Sequence, residues 1–158
     1  MLTKLKKIFT TNNFVTIFSQ VFQQQQVKDA YLDIILKRIY DEGTDADNKK
    51  LKTDRGRPLY AIRTQRIKSK KGQKYSNVTL KDTGQFYNSF VIRTQNKMFE
   101  VIAKYQKKDG TIYDNFQNLY SSFEMFDKAI TGMQEDEWKI FLKEIIQPKF
   151  LQILKNSV

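Results

Sequence analysis

The side chains able to do chemistry in this chain are carboxylates, lysines, tyrosines and serines, because the sequence has no His and no Cys. That excludes serine and cysteine triads of the usual kind, His/Cys zinc or haem sites, and a disulfide framework. What remains fails on spacing. Asp45-Ala46-Asp47 opens like a calcium loop, but the next ligand position is Lys49 and no Gly stands at the sharp turn. Glu135, Asp136 and Glu137 are consecutive, so on a helix they diverge, and they suit the positive end of a helix dipole better than a metal. Lys70-Lys71-Gly72-Gln73 lacks the second Gly and the Gly-Lys-Ser/Thr ending of a phosphate loop. No catalytic, metal-ligating or cofactor-binding residue is assigned, no cofactor is expected, and the chain reads as a non-enzyme.

The electrostatic signal above background is local. The chain carries 28 Lys+Arg against 17 Asp+Glu, a formal net charge of +11. Between Lys49 and Lys74 stand 11 of those cations and a single acid, Asp54, so nearly all the excess lies in this segment. Arg55, Arg57, Arg63, Arg66, Lys68, Lys70, Lys71 and Lys74, with Tyr60 and Tyr75 among them, are the candidate contact residues. Their partner is either the phosphates of a nucleic acid or an acidic protein surface. Gly56, Pro58, Gly72 and a shortage of apolar residues predict an extended basic arm or loop over 49–74, with a strand across Leu59 to Lys68.

Elements able to position that segment follow from periodicity. Phe14, Ile17, Phe18, Val21 and Phe22, then Val27, Tyr31, Ile34, Ile35 and Ile39, predict one long amphipathic helix from Phe14 to Tyr40. Asn12 or Asn13 is its expected N-cap, Gly43 its stop, and Gln23 to Gln26 an exposed polar stretch within it. Asp82 or Thr83 is expected to cap a short helix through Phe90. Alternating runs at Val91 to Thr94 and Met98 to Tyr105 predict a hairpin about Asn96-Lys97. After a turn at Lys107-Lys108-Asp109-Gly110, the spacing of Tyr113, Phe116, Tyr120, Phe123 and Phe126 predicts core packing on helical turns. A last helix is expected after the candidate cap Thr131, with Trp138, Phe141, Leu142, Ile145 and Ile146 on its apolar face and a kink at Pro148. The expected fold class is α+β, with 27–158 as a single domain and 1–26 as an N-terminal helical extension. No run approaches the ~18 apolar residues that span a bilayer. The basic start, Met1 to Phe9, leads into no cleavage-site pattern, so synthesis in the cytosol is expected.

The string from Val78 to Ser89 resembles the phage neck and tail-completion proteins. Their Leu-x-x-Thr-Gly-x-[Leu/Phe]-x-x-Ser turn into a helix is matched by Leu80, Thr83, Gly84, Phe86 and Ser89, with Asp82 and Tyr87 extending the match. The likeness is nearest to virion proteins of Bacteroides-type and crAss-like phages. It also takes in Asp41 to Lys49 and Ile130-Thr131-Gly132-Met133, covering about residues 28 to 155. The resemblance implies a long helix and a terminal helix packed on a small antiparallel sheet. It further implies a ring-forming head-to-tail connector joining portal to tail around the DNA channel. The partners so implied are further copies of the chain, on the order of six or twelve in a cyclic homo-oligomer, the portal protein, and adjacent neck or tail proteins. A passing contact with genomic DNA is included, a membrane is not, and the location is the virion after assembly in the host cytoplasm. The sequence departs from the family it resembles in the added N-terminal residues, in the charge of the basic segment, and at Ser121 to Met125, where members of that family tend to carry a Tyr-Gly pair. The reading from another class is a basic, non-specific nucleic-acid-binding protein.

Overall fold

The computed structural model describes residues 11–53, 55–81, 83–95, 98–103, 105–106, 112–113 and 131–156. It is a helix-rich mixed chain. Its helices are α1 (Thr11–Gln23), α2 (Gln25–Asp41), α3 (Ile62–Lys70), α4 (Gln85–Asn88), α5 (Glu135–Phe141) and α6 (Gln147–Asn156), with strands β1 (Phe90–Gln95), β2 (Met98–Ala103), β3 (Tyr105–Gln106) and β4 (Ile112–Tyr113). β1 pairs with β2, and β3 runs antiparallel to β4 with Tyr105 opposite Tyr113. Asp82, the Asn96-Lys97 and Lys107–Gly110 turns, and Phe116 to Phe126 lie outside the described residues. Among the described residues no helix is long and apolar enough to cross a membrane.

The chain divides into two compact units. The first comprises Met1–Leu32, Ile92–Glu100 and Glu135–Val158. Here the single helix expected from Phe14 to Tyr40 is broken at Gln24. The apolar phase explains the break: Val21 and Val27 are six residues apart, about 240° around an ideal helix, yet both are buried. Interrupting the helix resets the phase, and the Gln24 carbonyl accepts from the Val27 and Lys28 amides to start the second segment. Asn12 and Asn13 sit inside α1 rather than before it. α1 packs on α6. Phe141, fully buried, meets Phe22, Tyr31 and Trp138 at ring-centroid distances of 6.2, 5.6 and 5.8 Å. The glutamine run stays largely exposed, and Gln26 accepts from Lys149 Nζ at 2.8 Å.

Glu135, Asp136 and Glu137 occupy the first turn of α5, where their charge complements the dipole. Thr131 lies four residues ahead of α5 and is not its cap. Leu142, expected on the apolar face, is exposed. The disturbance expected at Pro148 appears upstream, as a π-helical segment over Leu142–Ile146. Pro148 supplies no amide and its ring crowds the carbonyl four residues back, so the wider i→i+5 turn accommodates it while α6 continues.

The second unit comprises Asp33–Val91 and Val101–Gln134. α2 ends as expected at Gly43, whose φ is +62°. A Cβ there would meet Asn77 Nδ2 at 2.6 Å and the Val78 carbonyl oxygen at 3.0 Å. Gly43→Ala therefore combines left-handed strain with a clash against the Asn77 side chain and a tight approach to the Val78 carbonyl, and we expect a loss of about 2 kcal/mol in urea unfolding. Just before it, Lys37 Nζ donates to Asp41 Oδ2 at 2.8 Å on the exposed face. That hydrogen bond holds the Asp41 carboxyl below its ordinary range and the Lys37 ammonium above its own. The carboxylate's contribution is present above the ordinary Asp range and fades as pH falls through the lowered value; the ammonium's fades only as pH rises through the raised one. A carboxyl carbon NMR titration of Asp41 should show the lowered midpoint, and Lys37→Gln should restore it.

Arg38 organises the end of α2. Although buried, its Nε donates to the Thr44 carbonyl at 3.2 Å and its Nη2 to the Gly132 carbonyl at 3.0 Å. Gln134 Nε2 reaches the Asp45 carbonyl at 3.0 Å. The loop after α2 at Thr44-Asp45 and the segment Gly132 to Gln134, nearly ninety residues apart, are thus fastened together. Asp45 is spent on its own loop, its Oδ1 accepting from the amides of Asp47 at 3.0 Å and Lys49 at 2.8 Å.

Candidate functional site

Thr79 is the hub on which the basic segment is mounted. It is fully buried, and each polar atom is used. Its amide donates to Tyr60 Oη at 3.0 Å, its carbonyl accepts from the Tyr87 hydroxyl, and its Oγ1 accepts from the Lys81 amide at 3.3 Å and Lys68 Nζ at 3.5 Å. Tyr60→Phe removes the acceptor from a buried amide, so a loss of about 1–2 kcal/mol is expected in thermal or urea unfolding. Lys68 is buried, with its ammonium on the Lys81 carbonyl and 4.8 Å above the Tyr60 ring. Lys81 Nζ in turn lies 4.9 Å from the Tyr40 ring centroid and 5.7 Å from that of Tyr87.

The motif residues around this hub shape backbone. Leu80 has φ +54° and Gly84 φ +85°, the latter immediately before α4. Thr83 Oγ1 accepts from the Gln85 amide at 3.4 Å. Ser89 Oγ donates to the Phe86 carbonyl at 2.7 Å, and Phe86 is buried edge-on to Phe90 at 5.2 Å. Tyr87 stands edge-on to Tyr40 at 6.5 Å. The Thr83 and Ser89 hydroxyls are thus engaged with neighbouring backbone, a turn-forming use.

Against this scaffold the expected extended arm is folded. Residues 62–70 form helix α3, where a strand was expected. The alternation of Tyr60, Ile62 and Thr64 was too short to distinguish the two, whereas Thr64 and Lys68, four apart, share the inward face of a helix. A cleft of about 610 Å³ opens beside the first turn of α3. Lys52, Thr53, Arg55 and Arg57 line one part of it, and Tyr60, Arg63, Thr64 and Lys68 another. Val78, Leu80 and Lys81 of the motif segment also contribute.

Of the expected contact residues, the structure brings Arg55, Arg57, Arg63 and Lys68 to this cleft. Arg66, Lys70 and Lys71 are exposed on or just after α3 and do not line it. Lys74 is drawn to the end of α2, donating to the Asp41 carbonyl. Lys52 and Lys81 were missed, the first as an undistinguished member of a lysine run and the second because it lies inside the motif. Comparison with protein-family models, with curated proteins and with solved structures finds no match.

Chemically the cleft is a concave cation field. The side chains of Lys52, Arg55, Arg57 and Arg63 make no hydrogen bond or ion pair among the described residues. Arg55, Arg57 and Arg63 are exposed and Lys52 is half-buried, and three of the four are guanidinium forks, which grip oxyanions bidentately.

Proposed function

We propose that the chain is a non-enzymatic structural protein of a phage virion, a ring-forming subunit of the head-to-tail connector that joins portal to tail around the DNA channel. The reading rests on the Val78 to Ser89 resemblance to neck and tail-completion proteins, and the motif's scaffolding geometry accords with it. The observation that carries it is a pair of exposed apolar sets, one in each unit. Leu59, Ile62 and Ile67 are exposed on and before α3, and Ile140, Leu142 and Leu151 on the C-terminal helical segments. A closed ring of identical subunits needs two different complementary surfaces on every copy, and these sets supply candidates for both. In the finer arrangement proposed, the N-terminal helices α1 and α2 and a C-terminal helix pack on a small antiparallel sheet, residues 27–158 act as the neck domain, and 1–26 extend it toward neighbours in the virion.

Native mass spectrometry of the purified chain, alone and with the portal protein, tests the assembly. A closed species on the order of six or twelve copies is expected, with Ile62→Asp and Leu151→Asp each reducing it to monomer. A monomer under both conditions, with the wild-type chain folded, contradicts the reading.

A further inference from the structure

We infer that the cleft beside α3 is a phosphate-binding site for a nucleic-acid strand, held by Lys52, Arg55, Arg57 and Arg63 with the hydroxyls of Thr53 and Thr64. The exposed apolar sets and the connector reading do not require such a site. Three observations carry it. First, the cations converge on a concavity of about 610 Å³ rather than being scattered over a surface, and no described carboxylate lines it. Secondly, the four charged groups are without hydrogen-bond or ion-pair partners among the described residues, while Lys68 and Lys81, which also line the cleft, are turned to carbonyl and ring contacts. The cleft thus contains both a fixed polar wall and uncommitted charge. Thirdly, exposed Arg66 and Lys70 follow Arg63 at steps of three and four, so they extend its row along one side of α3. From Arg63 to Lys70 the row rises about 10 Å, the reach of several phosphates at ~3.4 Å of helix axis each.

The same cations also attract carboxylates, but composition favours phosphate. Interfaces between proteins are depleted of charge at their centres, whereas protein–nucleic-acid interfaces are much more positively charged and place Arg, Lys and hydroxyl side chains on phosphate oxygens. The cleft has that second composition. Because the contacts are to backbone oxygens, binding is indifferent to sequence.

The test is fluorescence anisotropy on the full chain, using labelled 20-nucleotide single-stranded and duplex DNA from 50 to 200 mM salt. Affinity should fall steeply with salt, with a log–log slope of about −3 to −4 for four neutralised phosphates. The triple variant Arg55→Gln, Arg57→Gln, Arg63→Gln should bind at least ~10-fold more weakly, with the slope reduced by about three. Its unfolding midpoint should change little, since these exposed side chains make no hydrogen bond or ion pair among the described residues. Lys28→Gln, Lys139→Gln, Lys143→Gln, a charge-matched triple control in the first unit, should bind like wild type. Equal losses in control and triple variant, or none in either, overturn the site. Displacement of DNA by poly-glutamate at equal charge assigns the cleft to acidic protein and overturns it. Displacement by micromolar pyrophosphate assigns it to a free phosphate compound and overturns the strand. The binding is read on the isolated chain, so its failure is distinct from failure to assemble with portal.

Discussion

Phe141→Ala is expected to destabilise the chain by about 3–5 kcal/mol, the range for emptying a buried aromatic site. Phe141 has no exposed surface and joins Phe22 of α1, Tyr31 of α2 and Trp138 of α5 in one ring cluster. Truncation loses the transfer energy of the ring and its edge-to-face contacts, and the fixed helix backbones prevent the cavity from closing. With a urea slope of about 1–3 kcal/mol per molar, the midpoint should fall by more than 1 M. Trp138 is the only tryptophan and touches Phe141, so its emission follows the transition at the altered site. Phe141→Leu, which refills most of the volume, should recover more than half of the loss. A midpoint unmoved by Phe141→Ala contradicts this packing.

Arg38→Ala is expected to cost about 3 kcal/mol, for a different reason. The guanidinium bridges the Thr44 and Gly132 carbonyls, and its removal leaves the buried Thr44 acceptor and the half-buried Gly132 acceptor without that donor and a void where the stem packed. Arg38→Met separates the two effects by keeping the stem, and should retain roughly a third of the loss or more through the carbonyls alone. Arg38→Lys keeps the charge but not the fork, and should fall between wild type and Arg38→Ala. Hydrogen exchange at the Asp47 and Lys49 amides, which Asp45 holds, should accelerate in Arg38→Ala as the fastened loop is released. Protection unchanged at those amides, with stability intact, shows that Arg38 does not fasten the two segments.

Much of the helical framework was legible because it depends on local rules. Gly43 ends α2 where a left-handed residue was needed, and three consecutive acids mark the first turn of α5. Val27, Tyr31, Ile35 and Ile39 are buried at helical spacing. The break at Gln24 was hidden in a change of phase, because each half satisfies the helical template by itself. The basic segment was misread for a related reason: its charges obscured an inward face made by Thr64 and Lys68. A lysine ordinarily marks solvent, and contacts brought in by tertiary folding, among them the Lys81 carbonyl, the Thr79 hydroxyl and the Tyr60 ring, make its burial tolerable. Arg38 was equally illegible, since its acceptors are backbone atoms and leave no mark in side-chain sequence. The charge density of 49–74 was visible as composition, but its gathering into a cleft depends on the turn at Leu80 and on the Thr79 hub.

A ring subunit of the connector is present in each virion in a number fixed by the symmetry of the ring, so copy number tests the proposed role most directly. Quantitative mass spectrometry of purified particles, calibrated against the portal protein, should give on the order of six or twelve copies per particle, in fixed ratio to portal. Particles that carry portal and tail but lack this chain contradict the connector account and leave its basic cleft to be explained by nucleic-acid binding outside the virion.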